Sequence, residues 1–410
     1  MVTRTSSIDR GIVPLSVNVR VRNFAALLIS ALQLFGCGSG SDSSSASAPR
    51  QDPYVYRTPT QTADGWTTGD LQQVGMSSTL PSQLVDRIRR REPGFDLIDS
   101  VLIARNGVLV FDELTRTALE AGDEQIGNRD LNLHALNSVT KSFTSTAVGI
   151  AIDQGYLPNI DLNVHDYYSD KIPIQNFTSD KAGIRLRDWL TMRAGYSWDE
   201  SSISYLDSRN VWRQMGASSD PVRFVLDRPM ADAPGSTFTY NTGVSFLLGD
   251  LVHRATQQEF SNYLSANLLS KLDIQTFRYV SVGGQLAGGS GLFLSHRDMA
   301  KLGQLFLDGG VWNQVRVVSQ SWVTLATQTH TPSRSPNAGY GLQWWTTTFS
   351  YQGRELPSFY ANGFGAQYVI VIPELKLVVG LTGHALTDAQ ASSRAQVRVV
   401  QDFVLPAIRQ

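Results

Sequence analysis

Residues 137–152 read Asn137-Ser138-Val139-Thr140-Lys141-Ser142-Phe143-Thr144-Ser145-Thr146-Ala147-Val148-Gly149-Ile150-Ala151-Ile152, with no proline and no charge except Lys141. Apolar and small residues go all the way round the helical circumference instead of forming one stripe. That pattern predicts a helix buried on most sides. Asn137 is expected to cap it, its side-chain oxygen accepting from the opening turn. Three residues apart on a helix, Ser138 and Lys141 share a face, with Cβ atoms roughly 5–6 Å apart. An amine held in an apolar wall disfavours its charged form, so its pKa falls and it can take a proton. Ser138 then becomes a nucleophile with Lys141 as its base. The chain has six lysines, and this is its one Ser-x-x-Lys.

The 410 residues are enough for one large domain or two intimate ones, and a net charge of −1 points to neither nucleic acid nor a cationic partner. The beginning of the chain reads differently from the rest. Arg20 and Arg22 precede an apolar run over 24–32, followed by Leu34-Phe35-Gly36-Cys37. The run is short for a bilayer span and fits a secretory h-region. Residues 1–36 are therefore expected to be a signal peptide. Cys37 is the only cysteine, which excludes an intramolecular disulfide. Residues 38–48 are Gly/Ser-rich with one aspartate, the composition of a flexible tether. The folded domain is expected to occupy 53–410, after a tether spanning 37–52.

Within that domain, residues 80–92 carry Leu84, Val85 and Ile88 at helical spacing and stop at Pro93-Gly94. Two β-rich runs, 101–105 and 108–111, flank Asn106-Gly107 and predict a hairpin. Helices are expected over 184–193, 221–227, 246–255, 260–272 and, capped by Ser295, up to Leu307. Strands are expected over 340–345, 359–362, 368–372 and 375–381, with a closing amphipathic helix over 389–408. This order predicts an α+β fold: an antiparallel sheet built from both ends of the chain, flanked by helices, with an inserted all-helical lobe. The lobe is expected to take up about 136–285, and the sheet about 80–135 and 286–410. The Ser138 helix would then lie at the junction, where clefts form.

Acyl transfer through a serine also needs a proton donor for the leaving group and a site for the oxyanion. Pro234-Gly235 delivers Tyr240 just before a helix, where its hydroxyl can shuttle a proton. The stretch Tyr360-Ala361-Asn362-Gly363-Phe364-Gly365-Ala366-Gln367 places glycines in a strand, a mark of close approach by another backbone or a ligand. The N–H groups of Phe364 and Ser138 are expected to hold the oxyanion.

In that order, Ser138-x-x-Lys141, Tyr240-x-Thr242 and Ala361-Asn362-Gly363 resemble the serine β-lactamase and penicillin-binding-protein superfamily. Within it they look most like the class C-like branch, with its family VIII esterases, D-alanyl-D-alanine peptidases and 6-aminohexanoate-dimer hydrolase. The resemblance runs from about Leu80 to the C-terminus and includes residues 184–192 and 288–292. It implies a β-lactamase/transpeptidase-like fold and a serine hydrolase without cofactor or metal. By position relative to the motifs it also implies Tyr196 and Asn210 as cleft residues. Leu34-Phe35-Gly36-Cys37 similarly resembles a bacterial lipobox, which implies lipidation of Cys37 and a membrane-anchored lipoprotein of the cell envelope, facing the periplasm. Two departures bear on substrate. Thr242 replaces the usual asparagine of Tyr-x-Asn, and Ala361 replaces the Lys or His of the usual Lys/His-Thr-Gly. Alanine cannot supply positive potential for a substrate carboxylate, so small or oligomeric esters or amides are favoured over β-lactams and D-Ala-D-Ala peptides. The run to Gln367 looks most like the aminohexanoate-hydrolase side of the branch.

Other hydrolytic schemes lack their motifs. No Gly-x-Ser-x-Gly occurs, and none of the six histidines is paired as His-x-x-x-His. A non-catalytic alternative is an envelope lipoprotein that is acylated once and does not turn over.

Overall fold

The computed structural model describes residues 16–17, 52–119, 123, 128–332, 338–384 and 389–409. Most of the expected signal segment, Cys37 and the Gly/Ser tether lie outside the described residues. Among the described residues, no helix is long and apolar enough to cross a membrane.

The sequence alternation of the strands sets the layering. In Ile98–Arg105, Leu102 and Ala104 face one core while Val101 and Ile103 face a second. Val369 and Val371 alternate in the same way with Ile370 and Ile372, and Val378 with Leu377 and Val379. Successive side chains of a strand point to opposite faces, so a sheet covered on both sides needs continuous apolar strands. The sheet has nine strands, in the order Thr331–Pro332, Ala338–Tyr340, Trp345–Tyr351, Arg354–Gly363, Gln367–Ile372, Leu377–Gly383, Ile98–Arg105, Val108–Leu114 and Thr67–Thr68. All pairings are antiparallel except the last, where Thr67–Thr68 runs parallel to Val108–Leu114. As expected, the two ends of the chain meet in one sheet, with Leu377–Gly383 beside Ile98–Arg105. Asn106 and Gly107 both have positive φ, 53° and 78°, the backbone a two-residue hairpin requires.

One face of the sheet is covered by Thr79–Arg89 and the C-terminal segment, the other by His296–Leu307 and the helical lobe. The expected 389–408 helix is α-helical only over Ala389–Arg398. It continues as a π-turn over Val399–Val404 and a 3-10 turn at Pro406, whose ring cannot donate to the helical ladder. The lobe contains Thr140–Asp153, Leu186–Leu190, Val211–Ala217, Pro221–Leu226, Thr242–Thr256 and Phe260–Leu264, with Thr140–Asp153 packed directly on Thr242–Thr256.

One expected strand is corrected. Residues 340–345 are not continuous. Ala338–Tyr340 and Trp345–Tyr351 pair antiparallel, Tyr340 opposite Trp345, and residues 341–344 turn out of the sheet. Gln343 adopts a φ of 63°, and its N–H donates to Leu190 O at 3.0 Å, while Leu342 N donates to Ala326 O at 2.9 Å. A second, small sheet has no counterpart among the expected elements. Leu133–Ala135 pairs with Leu292–Ser295, which in turn pairs with Arg278–Val282. It delivers the chain to Ser138, since Leu136 N donates to Leu292 O at 2.9 Å and Leu292 N to Thr140 Oγ1 at 3.2 Å.

Candidate active site

Ser138 lies in a short 3-10 turn, Asn137–Val139, that runs into the helix Thr140–Asp153. The capping role expected of Asn137 is not what the structure has, because no side chain caps either element. Asn137 takes a left-handed φ of 47°, which asparagine tolerates, and its Nδ2 donates to Phe364 O at 2.6 Å. The residue that was to begin the helix instead ties the Ser138 turn to the sheet. Gly363 explains how the two come so close: a Cβ there would lie 2.2 Å from Leu136 O.

Twelve of the fourteen residues of Thr140–Asp153 are buried, which satisfies the expectation of a helix enclosed on most sides. Lys141 is 1% exposed. Its Nζ lies 3.2 Å from Ser138 Oγ, 2.9 Å from Thr242 Oγ1 and 2.8 Å from Gly289 O. Burial pushes the ammonium down to about 8, against an opposing pull from the Glu200 carboxylate. Tyr240 is half-buried, with Lys141 Nζ 4.9 Å from its ring centroid. Burial holds the Tyr240 hydroxyl above its ordinary value, with Glu200 pushing the same way, while a hydrogen bond with Ser138 works against both. Trp345 stacks on Tyr240 at 5.9 Å and 23°. Ser138, Lys141, Tyr240 and Thr242, 104 positions apart from first to last, therefore meet in one place.

The other expected residues divide. Phe364 stands beside Asn137 and packs on Tyr205 at 5.4 Å. Asn362 is half-buried on its strand, opposite Tyr368. Tyr196 and Asn210, expected in the cleft, are packing residues instead. Tyr196 is 2% exposed in the core of the helical lobe, its ring 5.8 Å from Lys181 Nζ. Asn210 is fully buried, caps Val211–Ala217 through Trp212 N, and donates to Glu200 O and Ile203 O. Short polar side chains favour such local backbone bonds, which is what holds this loop.

Glu200 is the residue that the sequence pattern does not single out. It is 1% exposed and accepts from Trp198 Nε1, Tyr205 OH, Thr242 N and Thr242 Oγ1. Its one signal in the sequence is an acid set between a tryptophan and a tyrosine that can both donate to it. The Thr242 side chain links Lys141 and Glu200, and Asn241 caps the helix through Val244 N at 3.1 Å.

A beta-lactamase family model matches residues 98–401, which contain every residue of this constellation. The chain belongs to the beta-lactamase family. Among its relatives, the 6-aminohexanoate-dimer hydrolase of Paenarthrobacter ureafaciens is 30% identical over 244 residues, 52% of this chain and 58% of that protein. The chain thus spans little more than half the length of this curated relative. Two solved beta-lactamase-fold structures share the architecture. EstCE1, a hydrolase with promiscuous acyltransferase activity, superimposes with a TM-score of 0.59 at 15% identity, covering 80% of this chain and 97% of that one. A penicillin-binding protein from Bacillus halodurans does so with a TM-score of 0.60 at 16% identity, covering 78% and 100%.

Proposed function

We propose that this beta-lactamase family member is a serine hydrolase that forms an acyl-enzyme on Ser138 and cleaves ester or amide bonds of small or short oligomeric substrates. The observation that carries the reading is Lys141: a buried amine 3.2 Å from the Ser138 hydroxyl, with its pKa pushed down to about 8. The amine, with Tyr240 beside it, removes the hydroxyl proton as Ser138 Oγ attacks the carbonyl carbon. The N–H groups of Ser138 and Phe364 hold the oxyanion, Tyr240 returns a proton to the leaving group, and water releases the acid. Ala361, 1% exposed, supplies no charge for a substrate carboxylate, which supports neutral esters and amides over β-lactams and D-Ala-D-Ala peptides. We further propose that Cys37 is lipidated and anchors the protein in a bacterial envelope membrane, facing the periplasm; Cys37→Ser should then abolish incorporation of labelled palmitate.

The nucleophile is tested by covalent labelling with a fluorophosphonate. Wild type should label at Ser138 and Ser138→Ala should not. Persistent labelling of the alanine variant would move the nucleophile elsewhere. Steady turnover of p-nitrophenyl esters is expected, whereas a single stoichiometric burst would mean an acylated sensor.

A further inference from the structure

Glu200 gathers four donors on one carboxylate. Oε2 accepts from Trp198 Nε1 at 2.6 Å and Thr242 N at 2.7 Å, and Oε1 from Thr242 Oγ1 at 2.6 Å and Tyr205 OH at 2.8 Å. A carboxylate is acceptor-only and suits all four, whereas a glutamine would turn an NH₂ towards two of them. The Thr242 hydroxyl has one hydrogen, and it is spent on Glu200. Its lone pairs are therefore what Lys141 meets at 2.9 Å. A neutral amine has two hydrogens and one lone pair. If the hydrogens go to Thr242 Oγ1 and Gly289 O, the lone pair is left for Ser138, 3.2 Å away. A Thr242 hydroxyl free to rotate would donate to that lone pair and compete with Ser138.

We propose that Glu200 is a positioning residue for the Lys141 amine: it locks Thr242 as an acceptor, aims the amine lone pair at Ser138, and sets a buried negative charge near the nitrogen that becomes cationic. The inference rests on the serine-hydrolase reading. In the step it serves, the Ser138 O–H bond breaks as Oγ bonds the carbonyl carbon. The proton joins Lys141 Nζ, and the carbonyl π pair moves onto oxygen. The titratable groups facing the pair are Tyr240, Tyr205 and Tyr340, and Arg228 lies over the Trp198 ring at 5.8 Å. None of these supplies a second buried carboxylate, so the charge removed in Glu200→Gln is not replaced.

The test is the rate of fluorophosphonate labelling of Ser138 against pH, which needs no known substrate. Glu200→Gln should label at least about tenfold more slowly on its plateau. Its acid limb should also lie at lower pH than that of wild type, because the charge that favours protonation of Lys141 is gone. A wild-type plateau with an unmoved limb would overturn the proposal. Should Glu200→Gln fail to fold, Thr242 decides. Thr242→Val cuts the hydroxyl link and should label about tenfold more slowly, while Thr242→Ser keeps it and should stay within about twofold of wild type. Equal rates for Val and Ser would overturn the proposal. Wild type that does not label at all would be a different failure, sinking the serine reading and this inference with it.

Discussion

In the proposed mechanism, Lys141 serves function at the expense of the fold. Its ammonium falls from an ordinary 10.5 to about 8 on burial, so the folded state holds that proton less well by about 3 kcal/mol. Two pH dependences follow, with different signs. The proposed mechanism needs the free amine, so kcat/KM for a p-nitrophenyl ester should rise as pH passes upward through about 8; a flat acid limb would remove Lys141 as the base. Stability depends on the unfolded chain binding the proton more tightly, so the cost is complete below about 8, declines between there and 10.5, and is gone above. Lys141→Met escapes that cost. Its stability relative to wild type, measured by urea midpoints, should therefore shift in favour of wild type by most of about 3 kcal/mol between pH 7 and pH 10.5. An unchanging difference would mean that the amine is not buried as described. The Ser138–Lys141 pair was legible because three-residue spacing on a helix fixes proximity whatever the rest of the chain does. Asn137 was misread for the complementary reason: capping and left-handed turns use the same residue type, and the choice between them came from Phe364 O, 227 positions away.

The Thr140–Asp153 helix is held by groups from several parts of the chain. Ser142 Oγ donates to Gln343 O at 2.8 Å, Ser145 Oγ to Leu342 O at 2.7 Å and Thr144 Oγ1 to Gly288 O at 2.6 Å. These hydroxyls are thus spent on backbone carbonyls, and Thr140 Oγ1 accepts from Leu292 N, which is how a buried helix can carry them. Gly149 sits on the same helix against Trp322, where a Cβ would lie 2.5 Å from the indole. Gly149→Ala would gain roughly 1 kcal/mol of helix propensity but overpack the ring at about 1–3 kcal/mol. A lower urea midpoint is expected, with recovery when Trp322→Val is added; a midpoint above wild type would mean that the ring moves aside freely. The hairpin at Asn106-Gly107 and the C-terminal meander were readable because turn chemistry and short runs of β-rich apolar residues act over a few residues. The break at residues 341–344 was not, since an aromatic, glycine-containing run suits a strand until helix carbonyls compete for its N–H groups.

Gln343 joins the sheet to the helical lobe. From the sheet side its Nε2 donates to Trp189 O and Leu190 O at 3.1 and 3.0 Å, and its Oε1 accepts from Ser245 Oγ at 2.6 Å. Gln343→Leu, similar in size but unable to bond, should cost about 2–4 kcal/mol by leaving buried polar groups short of partners. Thermal or urea unfolding would read this directly, and an unaltered midpoint would mean that the lobes are joined by apolar packing alone.

The order of amino acids was enough to specify everything that acts at short range: the α+β class, the hairpin, the serine–lysine pair and the tyrosine that precedes a helix. These rest on backbone periodicity and steric preference, which any unbranched chain of this order carries with it. Glu200 behind Thr242, 42 positions apart, and Gln343 between the lobes acquired their partners only through folding. A lone carboxylate or amide in a loop has no periodicity to betray it, and its role depends on which distant donors and acceptors are driven out of water beside it.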